Sequence, residues 1–354
     1  MRTTVRQLDP RGPGVEAWAA VQAASLVADR PADPPPPPAE VRAGALAGLP
    51  DRDPSELVRL LLAVEGGEPV GAALVELPLR DNTHLAYVEV HVLPEARRRG
   101  VGTALLGAAE QAADRPLVTT DLDEPPDLVG RSPGRRFLER HGFGCALTEA
   151  RRDLELPVPE PLLTALEREA AARSAGYAVV TWRDRCPAAL VDARAALGRV
   201  MSTDAPYGAL DRQEEAWDAA RVRERERLLG QQGRASVVAA AVHEASGELV
   251  AFSELAARPA LPDVVEQWET LVLAAHRGRA LGLLVKAAAL RRLAVEQPKA
   301  RRVCTTNADT NRWMIAVNER LGFAPDGEDT SWERPRRTRA GVPTQDALPA
   351  PSRR

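Results

Sequence analysis

Glu89-Val90-His91-Val92-Leu93-Pro94-Glu95-Ala96-Arg97-Arg98-Arg99-Gly100-Val101-Gly102-Thr103 passes from an apolar strand-like stretch, through an Arg- and Gly-rich turn, into helical spacing. The same grammar returns as Glu269-Thr270-Leu271-Val272-Leu273-Ala274-Ala275-His276-Arg277-Gly278-Arg279-Ala280-Leu281-Gly282, 180 positions on. Two further anchors keep that offset. Glu248-Leu249-Val250-Ala251 follows Glu68-Pro69-Val70-Gly71, and Glu319-Arg320-Leu321-Gly322-Phe323 follows Glu139-Arg140-His141-Gly142-Phe143. Val303-Cys304-Thr305-Thr306 matches Val118-Thr119-Thr120-Asp121 at an offset of 185. A repeat of this kind predicts two units of one fold.

Outward from the turn, residues 70–77 and 85–92 read as strands, and 57–64 as a strand or a helix end. A helix is expected from about Val101, a strand from Val118, and a short helix over 135–140 that Gly142 stops. The Pro31–Pro38 run excludes helix and central strand, and fits a surface loop between two N-terminal helices or a mobile flap. In the second half, 268–273 is the matching strand, and Leu281, Leu284, Val285, Ala288 and Ala289 form a helical stripe. Pro157-Val158-Pro159-Glu160-Pro161 reads as a stiff linker, followed by a polar helix over 162–173 that ends before Gly176. The expected division is a first unit over 1–156, a linker and helix over 157–176, a second unit over 177–335, and a disordered tail over 336–354.

A chain of 354 residues has room for two cores. With 44% hydrophobic and 27% charged residues it is ordinary globular protein. The net charge of −3 gives no basic field, so nucleic acid is not an expected partner. No apolar run approaches the roughly 18 residues of a membrane span, and the N-terminus lacks a signal-peptide core. The cytoplasm is therefore the expected setting, and no membrane partner is expected. Cys145, Cys186 and Cys304 stand alone, without metal-ligand spacing, so no metal is expected.

At the first turn, Gly100 and Gly102 let a bound group approach the backbone, and the helix start favours negative charge. A diphosphate suits that seat, with Arg97, Arg98 and Arg99 nearby to grip oxygens. Neither a dinucleotide-binding GxGxxG after an N-terminal strand nor a Gly-Lys-Ser/Thr loop is present.

The order of elements, with Arg97, Gly100 and Gly102 in the pattern Gln/Arg-x-x-Gly-x-Gly/Ala, resembles the GNAT superfamily (GCN5-related N-acetyltransferases). The second copy keeps Arg277 and Gly282 but has Ala280 at the first glycine. The resemblance covers most of both halves and implies an α/β chain of two consecutive GNAT-like domains. Each would be a twisted, mixed, mostly antiparallel sheet flanked by helices. Family members also carry an Asn seven residues before a Tyr. Asn311 matches the Asn, while Asn318 stands at the Tyr, and Arg131 and Leu138 hold those places in the first half. Neither half has the usual tyrosine acid.

The resemblance implies acetyl-CoA as co-substrate and direct acetyl transfer to a primary amine of a small molecule, such as a natural product or antibiotic intermediate. It implies a cofactor site at Val90, His91, Val92, Arg97, Arg98, Arg99, Gly100, Val101, Gly102 and Thr103. The second copy would use Leu271, Val272, Arg277, Gly278, Arg279, Ala280, Leu281, Gly282 and Asn311. Backbone amides before the turn would polarise the thioester carbonyl. The amine must lose a proton first, so Glu89 and Glu269 are the candidate catalytic bases. His91 and His84 are alternative bases or acids. Trp268, Asp204, Tyr207 and Asp211 are candidates for acceptor contacts. Another acyl group remains open, as does an acyl-CoA-binding pseudoenzyme or scaffold with at least one non-catalytic domain. A monomer or a homodimer fits either case.

Overall fold

The computed structural model describes residues 2–52 and 55–335, so the expected tail over 336–354 lies outside the described residues. The first half runs β1 (Thr4–Gln7), α1 (Gly14–Asp29), α2 (Pro38–Ala47), β2 (Glu56–Glu65), β3 (Glu68–Pro78), β4 (Leu85–Val92), α3 (Val101–Ala113), β5 (Leu117–Glu124), α4 (Pro133–Arg140) and β6 (Gly144–Glu155). After α5 (Glu160–Arg173), the second half runs β7 (Tyr177–Arg183), α6 (Val191–Asp204), α7 (Ala219–Gln231), β8 (Ala235–His243), β9 (Glu248–Ala257), β10 (Val264–Val272), α8 (Leu281–Glu296), β11 (Arg302–Ala308), α9 (Arg312–Leu321) and β12 (Ala324–Pro335). The α/β class is as expected, with mostly antiparallel pairing.

The sequence predicts a sheet in each half, but the strands join into one twelve-stranded sheet in the order β1-β2-β3-β4-β5-β12-β6-β11-β10-β9-β8-β7. The last strand of each half sits inside the other half's territory. β12 pairs antiparallel with β5, β6 pairs antiparallel with β11, and β6 and β12 pair with each other. The exchange fills what would otherwise be exposed edges on β5 and β11.

Both faces of β2 are covered, which explains its unbroken apolar run. Leu61 and Ala63 pack with α3, while Leu60 and Leu62 pack with α1 and α2. In the second half α8 is buried on more than the expected stripe, because α5 covers it from outside as the sheet covers it from within. The offset of 185 at β11 arises because α8 and its following loop are longer than α3 and its loop.

The Pro-rich loop joins α1 to α2 and is tied down. Its Asp33 accepts from Arg30 at 2.6 Å and from Arg151 at 2.9 Å, and also binds Arg302. Asp326 of β12 joins this network through Arg30 and Arg151. The loop, the exchanged strands and β11 therefore share one set of ion pairs.

Candidate active site

β4 and β5 are parallel neighbours only at Leu85–Leu117, Ala86–Val118 and Tyr87–Thr119. Beyond Tyr87 they diverge, and among the described residues the β4 edge from Val88 to Val92 has no ladder partner on that side. At the end of β4 the chain turns through Gly100, whose φ of 89° suits glycine, into α3. The Ala104 N–H donates to Gly100 O at 3.0 Å, so the amides of Val101, Gly102 and Thr103 start the helix without intrahelical acceptors. Gly102 lies beneath Phe137, and a Cβ there would stand 3.1 Å from Phe137 Cε2. These groups line a cavity of about 810 Å³ that reaches Glu89 and His91.

The three arginines of the turn have different employments. Arg97 does not face the cavity as a free fork. Its guanidinium donates to both carboxylate oxygens of Asp29 at 2.7 and 2.9 Å, and its Nε donates to Val92 O at 3.0 Å. It ties the end of α1 to the end of β4. Arg99 is paired with the buried Glu65. Arg98, at φ 65°, lines the cavity and makes no ion pair among the described residues. Arg140 of α4 is in the same position. Thr103 Oγ1 lies 3.1 Å from His141 Nε2.

Toward the inner end, Tyr87, Glu89 and His91 share one face of β4, as strand alternation requires. Val88, Val90 and Val92 take the other face and pack with α3. No bulge interrupts the β3–β4 register, so Glu89 and Val92 lie on opposite faces of the strand. The Tyr87 hydroxyl donates to Glu89 Oε1 at 3.2 Å, and His91 Nε2 lies 3.1 Å from Glu89 Oε2. Gln22 Nε2 of α1 reaches the same carboxylate at 3.5 Å, and Trp18 meets His91 edge-on. Burial alone would raise the Glu89 pKa, but His91, Tyr87 and Gln22 outweigh it and hold it below the usual range. Glu89 is thus a carboxylate at neutral pH. Burial and the surrounding carboxyls push Tyr87 well above its usual range, so it stays a donor.

The second copy repeats the backbone and departs in its side chains. β10 and β11 also pair over three positions only, Val264–Arg302 to Glu266–Cys304. Here the β9–β10 register shifts between Gln267 and Thr270. Ala280 takes the left-handed conformation at φ 57°, which a Cβ disfavours, and Gly278 takes φ 79°. Gly282 is open apart from Val272, and Leu281 is buried. Leu271 packs against the core of the β7–β9 face. The Gly278 and Arg279 carbonyls accept from Arg173 and Ser174, and Arg279 lies over Tyr177. Arg277 is paired with Asp204. Glu269 binds Arg194 at 3.2 Å, and Arg194 is 4% exposed and shared with buried Glu254. Asn311 caps α9 by accepting from Met314 N at 3.3 Å, and Asn318 is buried with its Nδ2 2.6 Å from Asn307 Oδ1.

Other candidates find structural partners. Trp268 donates to Glu266 and stacks with Arg225 and Arg234. His84 lies 3.4 Å from Asp211 of the second half. Tyr207 is half-buried in the same loop region. Sequence reasoning missed much of the cavity's lining, Trp18, Gln22, Phe137, His141 and the second half itself among it. Arg234 and Arg258 close the cavity's far side through Glu40 of α2. Only His141 carried a signal, its place beside the Gly142-Phe143 anchor.

A sequence-family model described as the acetyltransferase (GNAT) family matches residues 20–143. No curated protein matches the chain. Among solved structures, a tandem GNAT protein from the clavulanic acid biosynthesis pathway is 28% identical, with a TM-score of 0.76 over 94% of this chain and 98% of that one. A GCN5-related N-acetyltransferase from Sphaerobacter thermophilus shares the fold at 19% identity and TM-score 0.61, over 94% of this chain and 95% of its own. An acetyltransferase described as putative from Pyrococcus horikoshii shares it at 13% identity and TM-score 0.55, over 95% and 90%.

Proposed function

Because the chain belongs to the GNAT acetyltransferase family, as two copies of that fold in tandem, we propose that it moves an acetyl group from acetyl-CoA directly to a primary amine of a small molecule. The first half carries the chemistry. We take 1–156 and 177–335 as the two units, joined by 157–176. The observation behind this reading is one cavity with the α3 amides at one end and the Glu89 carboxylate at the other. The relative from clavulanic acid biosynthesis supports a small biosynthetic intermediate as acceptor.

The residues fit the donor. The α3 amides, with Arg98 and Arg140, would hold the diphosphate, and the free edge at Val90 and Val92 would bond the pantetheine arm. Acetyl-CoA supplies an activated thioester when bound. An amide of that edge polarises the carbonyl. Glu89 takes the proton from the incoming ammonium, directly or through His91, and so frees the lone pair. His91 holds the carboxylate in place, and Trp18 and Phe137 narrow the cavity against water.

A second reading applies to the second half. Glu269 pairs with a buried arginine, Arg277 pairs with Asp204, and Asn311 is spent on capping α9. That half fits a non-catalytic partner that completes the wall of the first. The test is calorimetric titration of acetyl-CoA into the full chain, followed by thiol release with a panel of amines. Binding with amine-dependent thiol release upholds the transferase. Binding without release for any amine leaves an acyl-CoA-binding pseudoenzyme, and no binding removes both readings.

A further inference from the structure

The inner end of the cavity is lined by carboxyl groups from four strands: Glu76 on β3, Glu89 on β4, Asp121 on β5 and Asp329 on the exchanged β12. Others stand behind them. Glu56 of β2 faces Glu76, and Glu149 of β6 faces Asp329. The facing cations are few and engaged. Arg212 lies toward Asp121 but pairs with Glu333 at 3.1 Å, and Arg151 lies toward Asp329 but pairs with Asp33 and Asp123. His91 serves Glu89. Burial and mutual repulsion hold Glu76 and Asp329 well above the usual carboxylate range. Among the described residues, the cations nearest these acids are already paired.

A second feature of the same wall points to a ligand. Gln22 is 7% exposed and lines the cavity. Its Nε2 reaches Glu89, while its Oε1 has no hydrogen-bond partner among the described residues. A buried amide oxygen without a donor is rare in folded proteins. An ammonium N–H beside Glu89 would supply one.

We infer, resting on the acyl-transfer reading above, that the acceptor is a polyammonium compound: an amine to be acylated that carries at least one further cationic group, seated among Glu76, Asp121 and Asp329. One carboxylate suffices for the chemistry. Glu89 receives the ammonium proton, the freed nitrogen forms the C–N bond, the C–S bond breaks, and the second proton shed as the nitrogen becomes an amide goes to the departing thiolate. The remaining carboxyls match a second cation that is not acylated. The cavity is then polarised lengthwise, with Arg98 and Arg140 toward an anionic donor and carboxyls toward a cationic acceptor.

Calorimetry on the full chain without any acyl donor tests this, using diaminobutane, butylamine and aminobutanoate. Diaminobutane is expected to bind at least tenfold more tightly than either. Glu76→Gln and Asp121→Asn, singly, are expected to remove most of that preference. Should these variants misfold, the parent chain still decides, because raising NaCl from about 50 to about 500 mM is expected to weaken diaminobutane several-fold. Equal binding of the three amines, or salt-insensitive binding of diaminobutane, overturns the inference. Acetyl-CoA is titrated into the same preparation. If it binds and diaminobutane does not, the polyammonium site fails and the transferase stands. If diaminobutane binds and acetyl-CoA does not, the transferase reading fails instead.

Discussion

Glu149 and Asp329 lie opposite each other across the β6–β12 ladder, and they are 180 positions apart, so each is the repeat counterpart of the other. The pair marks a local two-fold between the halves. Like charges directly opposed in a sheet repel. Burial raises both carboxyls, with Asp121 adding at each; Asp123 and Glu149 push Asp329 further, well above its usual range. The folded chain then holds its proton to higher pH than the unfolded chain does. Stability from this group is present below about pH 4 and is lost as pH rises through the native pKa. Asp329→Asn is expected to raise the melting temperature by about 2–4 °C at pH 8 and by little at pH 4. Equal gains at both values would contradict this, and thermal melts by circular dichroism decide it.

Glu89→Gln keeps shape and removes the proposed proton acceptor. A fall in kcat of roughly 10²–10⁴-fold is expected, with acetyl-CoA affinity nearly unchanged. Glu269→Gln is expected to leave the rate within about threefold, because Arg194 already occupies that carboxylate. If the two variants behave in the reverse way, the second half does the chemistry.

Gly102→Glu places a Cβ 3.1 Å from Phe137 and a negative charge at the start of α3. Acetyl-CoA affinity is expected to fall more than tenfold by calorimetry. Gly282→Glu, where a Cβ meets only Val272 at 3.7 Å, is expected to leave that affinity unchanged. A matching loss at Gly282 would move the binding site to the second turn.

Lys286 is buried in α8 with its ammonium 5.6 Å from the Phe323 ring. Burial pushes its pKa down to about 7. The unfolded chain holds this proton up to about pH 10.4, so stability falls as pH drops from there toward 7. Lys286→Met is expected to raise the melting temperature by several degrees at pH 7 and by much less at pH 10. A gain that grows with pH would refute the assignment.

The tandem architecture was legible because one offset relates anchors in strands, turns and a helix end, and because Gly100 and Gly102 sit where a strand gives way to a helix. The Glu89–His91 pair was half legible: alternation puts both on one face, but the partners Gln22 and Trp18 come from a distant helix. The role of Arg97 was not legible. A guanidinium at a turn suits phosphate and Asp29 equally, and only packing decides. The strand exchange left no local trace either. β6 and β12 have the same length and the same place in each repeat, so their alternation fits either neighbour. Glu269 looked like the twin of Glu89 because Arg194, its partner, lies 75 positions away.

The placement of β6 and β12 bears on what the connecting segment around residue 160 achieves. Severing it would not release two independent proteins, since each would still be threaded through the other's sheet. A lone half expressed by itself would have a gap beside β5 or β11 and would fill it most readily with a second copy of itself. Covalent continuity therefore guarantees that unlike copies meet. That is the condition under which one can keep the reactive groove while the other drifts into serving as its wall.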